Sequence, residues 1–192
     1  MEDPQEMETD LIKQLKNGHP QAFRILVDQW QNRMFNYALR FTNDHQIADD
    51  IVQKAFIKVY ENIGSLQDHS KFKSWFYSIT NNLCISEKRK QKVRKKYITN
   101  AAILPIARDG KTPLNIFEKE EKGKMVHLAL QKLSPEQRQV ILMKEFEGMK
   151  FREIAEVLEE SESTIKSRLY YGLDNLKKIM TTNKQIKEMY YE

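Results

Sequence analysis

At 192 residues, with 40% apolar and 31% charged side chains, the chain can bury one large or two small cores, and a mean hydropathy of −0.68 favours well-solvated helical units over a thick sheet. One cysteine, Cys84, excludes an internal disulfide framework and any multi-cysteine zinc site. No apolar run nears the roughly 20 residues of a membrane span, and the acidic start MEDPQEMETD lacks the order of a signal peptide, so a cytoplasmic protein without membrane insertion is expected. The net charge of +5 is unevenly spread, since residues 71–96 alone carry nine Lys or Arg against one Glu and the remainder is net negative. That basic patch points to a polyanionic partner.

In chain order, the spacing predicts a short helix over Thr9 to Lys16, stopped by Asn17-Gly18, with Pro20 in the first turn of the next. Phe23, Leu26, Val27, Trp30, Met34, Tyr37, Ala38 and Phe41 then trace one apolar stripe, which marks a core helix. The segment DHQIADDIVQKAFIKVYENIG opens on Asp44 as N-cap and closes at Gly64. Ile47, Ile51, Ala55 and Val59 can face the preceding helix, leaving Asp49, Asp50, Gln53 and Phe56 available outside. The helix dipole alone explains two early acids; a partner-binding face is the other reading.

After the polar loop SLQDHS comes FKSWFYSITNNLCISEKRKQKVRKK, in which seven of the nine residues from Lys88 to Lys96 are basic. Phe76, Ile79 and Leu83 are expected inward. Phe72, Trp75, Asn81 and Asn82 cannot all be buried with them, and aromatic faces beside a cationic track suit single-stranded nucleic acid. A core-packing aromatic cluster with a charged helix end fits the same pattern.

Residues 97–117 contain two prolines and an Asp-Gly turn without helical periodicity, which predicts a flexible linker. Helix resumes over Glu118 to Leu133. Ser134-Pro135-Glu136-Gln137 reads as a capping box with Gln137 reaching back, and the helix it starts carries Val140, Ile141 and Phe146 inward and ends at Gly148. Phe151, Ile154, Ala155 and Leu158, then Ile165, Leu169, Leu173 and Leu176, form the apolar stripes of two helices joined by a tight turn. This is a helix-turn-helix pattern whose Lys166, Ser167 and Arg168 face away from the core, where such a motif offers residues to a major groove; an ordinary helical hairpin with a solvated face shares the pattern.

His19, His45, His69 and His127 are scattered without ligand spacing, and the chain has neither a Gly-rich phosphate loop nor a nucleophile elbow. No enzyme, metal or cofactor is expected. The fold class is all-α: two small helical domains, 8–96 and 118–180, joined by the linker 97–117 and followed by a tail, 181–192.

Five segments in one order, AFRILVDQW, IADDIVQKAFIKVY, FKSWFYSITNNLCIS, LSPEQRQVILMKEFEGMKFREIAEVL and STIKSRLYYGLDNLK, resemble the extracytoplasmic-function (group IV) sigma factors of bacterial RNA polymerase over nearly the whole chain. The resemblance implies that Asp49, Asp50, Gln53 and Phe56 bind the clamp coiled coil of the largest subunit of core RNA polymerase. It implies that residues 64–70 with Phe72, Trp75, Asn81 and Asn82 read the minus-ten element and hold a flipped base of the melted non-template strand, while Lys73, Lys88 and Arg89 are expected to bind the DNA without adding sequence preference. It implies, too, that Thr164, Lys166, Ser167 and Arg168 read the minus-35 duplex while Lys150 and Arg152 hold phosphates, and that an anti-sigma factor regulates the chain. Several residues depart from the family pattern: Lys54 for an acid, Ser86, Glu87 and Lys88 for an Asp, an aromatic and an apolar residue, Glu159 for Gly in the turn, and Glu160 and Ser163 for an apolar residue and Gly. A stand-alone helix-turn-helix regulator that binds palindromes without polymerase is the competing class, and a regulated protein adaptor the third.

Overall fold

The computed structural model describes residues 4–98 and 121–182 and divides the chain into two compact units between Glu87 and Lys88. Among the described residues there are helices and turns and no strand, as the sequence pattern predicts. The helices are α1 (Pro4–Lys16), α2 (Pro20–Thr42), α3 (His45–Asn62), α4 (Phe72–Ile98), α5 (Glu121–Lys132), α6 (Pro135–Ile141), α7 (Phe151–Leu158) and α8 (Glu162–Thr182). The predicted linker from residue 99 onward and the tail beyond Thr182 lie outside the described residues.

In the first unit α2 supplies the spine. Leu26, Trp30, Met34, Tyr37 and Phe41 are buried along it, while Phe23 and Val27 near its N-terminal end are half-covered. The Asp44 carboxylate accepts from the Ile47 amide at 3.0 Å, so the predicted N-cap of α3 is present. Helix α3 ends at Asn62 rather than Gly64, because the chain tightens into a 3₁₀ turn over Ile63–Ser65; a second, His69–Lys71, leads into α4. Helix α1 buries Leu11, Ile12 and Leu15, and the Lys16 ammonium donates to the Leu66 carbonyl in the loop before α4.

Helix α4 is rotated relative to the sequence expectation. Its most deeply buried positions are Phe72, Phe76, Tyr77, Thr80, Asn81 and Cys84, with Ser74 also buried, whereas Ile79 and Leu83 are only half-buried. Polar groups can occupy that inner stripe because partners meet them there: Thr80 Oγ1 donates to the Phe76 carbonyl at 3.0 Å, and Tyr37 Oη donates to Asn81 Oδ1 at 2.9 Å. Around them Trp30 lies 5.5 Å from the Phe72 and Phe76 rings, and Phe56 meets Phe76 edge-on at 5.2 Å.

In the second unit α5 sets Met125 and Ala129 against Leu176, Ile179 and Met180 of α8. Ser134 caps α6 by accepting from the Gln137 amide at 3.3 Å, but the reciprocal arm of the predicted box is replaced: the Gln137 side chain accepts from Asn175 Nδ2 at 3.3 Å and so ties α6 to α8. A π turn over Leu142–Phe146 follows, leaving Phe146 half-buried. Helices α6 and α8 meet at Gly172, where a β-carbon would stand 3.0 Å from Ile141 Cδ1. The stripe of α8 is buried at Ile165 and Leu169, while Leu173 is exposed, contrary to its spacing. Arg138 is buried, and its guanidinium donates to the carbonyls of Leu130, Gln131 and Leu133 at the end of α5, at 2.8, 2.6 and 3.2 Å. Loss of hydration lowers its pKa to about 10.

Candidate nucleic-acid interfaces

On α3, Asp49, Asp50 and Gln53 are exposed as expected, but Phe56 is buried against Phe23 and Phe76 and is not part of that surface. Helical spacing continues the outer face instead through Ile57 and Tyr60, both exposed large apolar residues. The three- and four-residue steps from Asp50 through Gln53 and Ile57 to Tyr60 were the signal for them. A mixed acidic and apolar helix face of this kind suits a protein partner.

On α4, Phe72 and Asn81 fall out of the proposed strand-binding set, being 0% and 1% exposed. Their place in the inner stripe follows from the phase of the helix. Trp75, Ile79, Asn82, Ser86 and Arg89 form the outer one, with Trp75 half-buried and Asn82 and Arg89 exposed; Lys73 and Lys88 are half-buried beside it. Trp75 toward one end and Arg89 toward the other lie on this one stripe of α4. The adjoining loop is pre-shaped: Asp68 Oδ1 accepts from the Ser70 hydroxyl at 2.6 Å and the Ser70 amide at 3.0 Å. Those two bonds, the hydroxyl first, hold the Asp68 carboxyl below its ordinary pKa.

The second unit contains the predicted helix-turn-helix. Glu153 accepts from the Lys150 amide at 2.6 Å at the start of α7, and Lys150 and Arg152 are exposed there. The turn passes through Glu159 at φ 53°, the left-handed region that favours glycine, and the Glu160 amide returns to the Ala155 carbonyl at 3.1 Å. Ser161 caps α8 by accepting from the Thr164 amide at 3.1 Å, and its hydroxyl lies 2.8 Å from those of Ser163 and Thr164. Thr164 is therefore engaged in the cap and half-buried, whereas Lys166 and Ser167 are exposed. Phe151 is half-covered because Lys166 Nζ lies over its ring at 5.5 Å and Lys144 Nζ at 4.7 Å. Arg168 is paired with Glu160 at 2.6 Å. Tyr170 and Tyr171, not singled out from the sequence, are exposed on the same helix, Tyr170 one turn beyond Lys166.

Residues 26–94 match Sigma-70 region 2 and residues 123–176 match Sigma-70 region 4. The chain is 31% identical over 176 residues to the ECF RNA polymerase sigma factor SigW of Bacillus subtilis, covering 87% of this chain and 93% of that protein. Its fold is shared with the solved structure of CnrH in complex with the cytosolic domain of CnrY, at a TM-score of 0.70 and 21% identity over 92% of this chain and 98% of that one. It is also shared with the sigma factor RpoE of Bartonella quintana, solved with the anti-sigma factor NepR, at a TM-score of 0.65 and 22% identity over 84% and 98%. The chain therefore belongs to the extracytoplasmic-function sigma factors of the sigma-70 family and is an alternative sigma factor of transcription initiation.

Proposed function

We propose that the two units divide promoter recognition between them. The outer face of α3, formed by Asp49, Asp50, Gln53, Ile57 and Tyr60, docks on core RNA polymerase, at the clamp coiled coil of its largest subunit. Trp75, Asn82 and the basic run through Lys88 and Arg89, with the loop closed by Asp68 and Ser70, take the melted non-template strand. The helix-turn-helix takes upstream duplex, with Lys166, Ser167 and Arg168 toward base edges and Lys150 and Arg152 toward phosphates. Polymerase supplies the catalysis, and the chain works in the compartment that holds polymerase. No described helix is long and apolar enough to cross a membrane.

The observation that carries this reading is the coexistence on one chain of an aromatic and basic outer stripe on α4 and a helix-turn-helix with exposed cations on both of its helices. The first chemistry suits unpaired bases and the second suits duplex. An anti-sigma partner is the further element, supported by the fold shared with RpoE in its complex with NepR.

The test is association of core polymerase with the chain and with the Asp50→Ala, Gln53→Ala and Tyr60→Ala variants. Weakened association with unchanged unfolding midpoints supports the α3 face. Unchanged affinity in all three removes it, and duplex binding that is sequence-specific without polymerase favours a stand-alone regulator.

A further inference from the structure

The recognition helix carries two flanking cations, and each is anchored by the segment before it. Lys166 lies over the Phe151 ring, and Arg168 Nη2 sits 2.6 Å from Glu160 Oε1 across the turn. The second contact is the more informative. Its side chains are 27% and 36% exposed, and an ion pair that accessible contributes little to stability. It does restrict a side chain that otherwise carries much rotamer entropy, and it places a carboxylate beside a residue that faces DNA in the reading above.

A carboxylate 2.6 Å from Arg168 opposes a phosphate contact far more than the looser Arg152–Glu156 pair, 3.6 Å apart with the arginine 79% exposed, opposes one at Arg152, because the phosphate's charge would meet that of Glu160 as well as that of Arg168. Base edges carry no net charge. Of the four base edges in the major groove, guanine presents two acceptors, O6 and N7, and an arginine fork has donors only. One of the five N–H groups of Arg168 suffices for Glu160, which leaves donors for a bidentate contact.

We propose that Glu160 is a positioning residue that holds Arg168 in the geometry for reading one guanine of the upstream promoter element, trading general attraction to DNA for discrimination at that base pair. The inference rests on the helix-turn-helix reading and assigns it a base class and a residue that acts through another.

The experiment is selection of duplexes with a randomised upstream element by the full chain bound to core polymerase, followed by sequencing, for the unaltered chain, Arg168→Ala and Glu160→Gln. The glutamine keeps the shape of the side chain and removes its charge. The expected result is a guanine preference of roughly tenfold at one position, lost in Arg168→Ala and reduced several-fold at that same position in Glu160→Gln, with preferences elsewhere retained. A merely structural ion pair would lower binding to all duplexes alike, without erasing one preference, and that result overturns the proposal. So does a Glu160→Gln chain that binds every duplex more tightly while keeping its guanine preference, which would make Glu160 a simple electrostatic brake. If Arg168→Ala loses no preference while the unaltered chain is selective, Arg168 reads no base and the proposal falls although the helix-turn-helix reading stands. If the unaltered chain selects no upstream sequence at all, the failure is that of the helix-turn-helix reading, and the proposal falls with it.

Discussion

The buried hydroxyl of Tyr37 on α2 donates to Asn81 Oδ1 on α4 at 2.9 Å, linking residues 44 positions apart inside the first unit. Removing the amide leaves a buried phenol with a lost acceptor, at a cost of about 1–3 kcal/mol. Asn81→Ala is therefore expected to lower the denaturant midpoint. Any loss of promoter opening should follow the loss of folded protein and vanish under conditions where the variant is fully folded.

The opposite sides of α4 should separate in the same way. Phe72→Ala removes a ring packed against Trp30 and Phe76 and is expected to cost about 3–5 kcal/mol. Trp75→Ala and Asn82→Ala should change the unfolding free energy much less while weakening binding of a single-stranded oligonucleotide by the polymerase-bound chain. Fluorescence anisotropy beside chemical denaturation checks both halves; equal destabilisation by Phe72→Ala and Asn82→Ala would contradict the assigned helix phase.

That phase explains why the sequence disclosed the architecture better than the site. The helices, the caps at Asp44 and Ser134 and the turn at Glu159 follow from local rules, since a capping oxygen or a left-handed residue is satisfied within a few positions. The inner stripe of α4 depends on partners from α2. Asn81 looks solvent-facing until the Tyr37 hydroxyl is seen to donate to its amide oxygen, and an outward Asn81 implies a helix phase with Phe72 at the surface and Leu83 in the core. Phe56 is buried for a similar non-local reason, because the Phe23 and Phe76 rings that cover it belong to other helices. In α8, Leu173 keeps helical spacing yet is exposed, a difference that periodicity alone could not reveal.

At the turn of the helix-turn-helix, Glu159 adopts φ 53° with a side chain that this region disfavours. Glu159→Gly should relieve the strain and stabilise the second unit by up to about 1 kcal/mol, offset in part by greater freedom of the unfolded chain. The readout is the thermal midpoint, and a fall in stability would contradict the strain.

Arg138 closes the end of α5 through the carbonyls of Leu130, Gln131 and Leu133. Arg138→Met keeps apolar volume and removes the donors, so the second unit should lose about 2–4 kcal/mol. Hydrogen exchange should show the loss concentrated at the junction of α5 and α6. Protection unchanged at that junction would make the guanidinium dispensable.

The central claim is that this chain confers promoter choice on a polymerase that lacks it. Run-off transcription by purified core enzyme on a genomic fragment library, with and without the chain, tests it most directly. The account predicts a discrete set of transcripts that appears only when the chain is present, whereas the same start-site distribution in both reactions would contradict it.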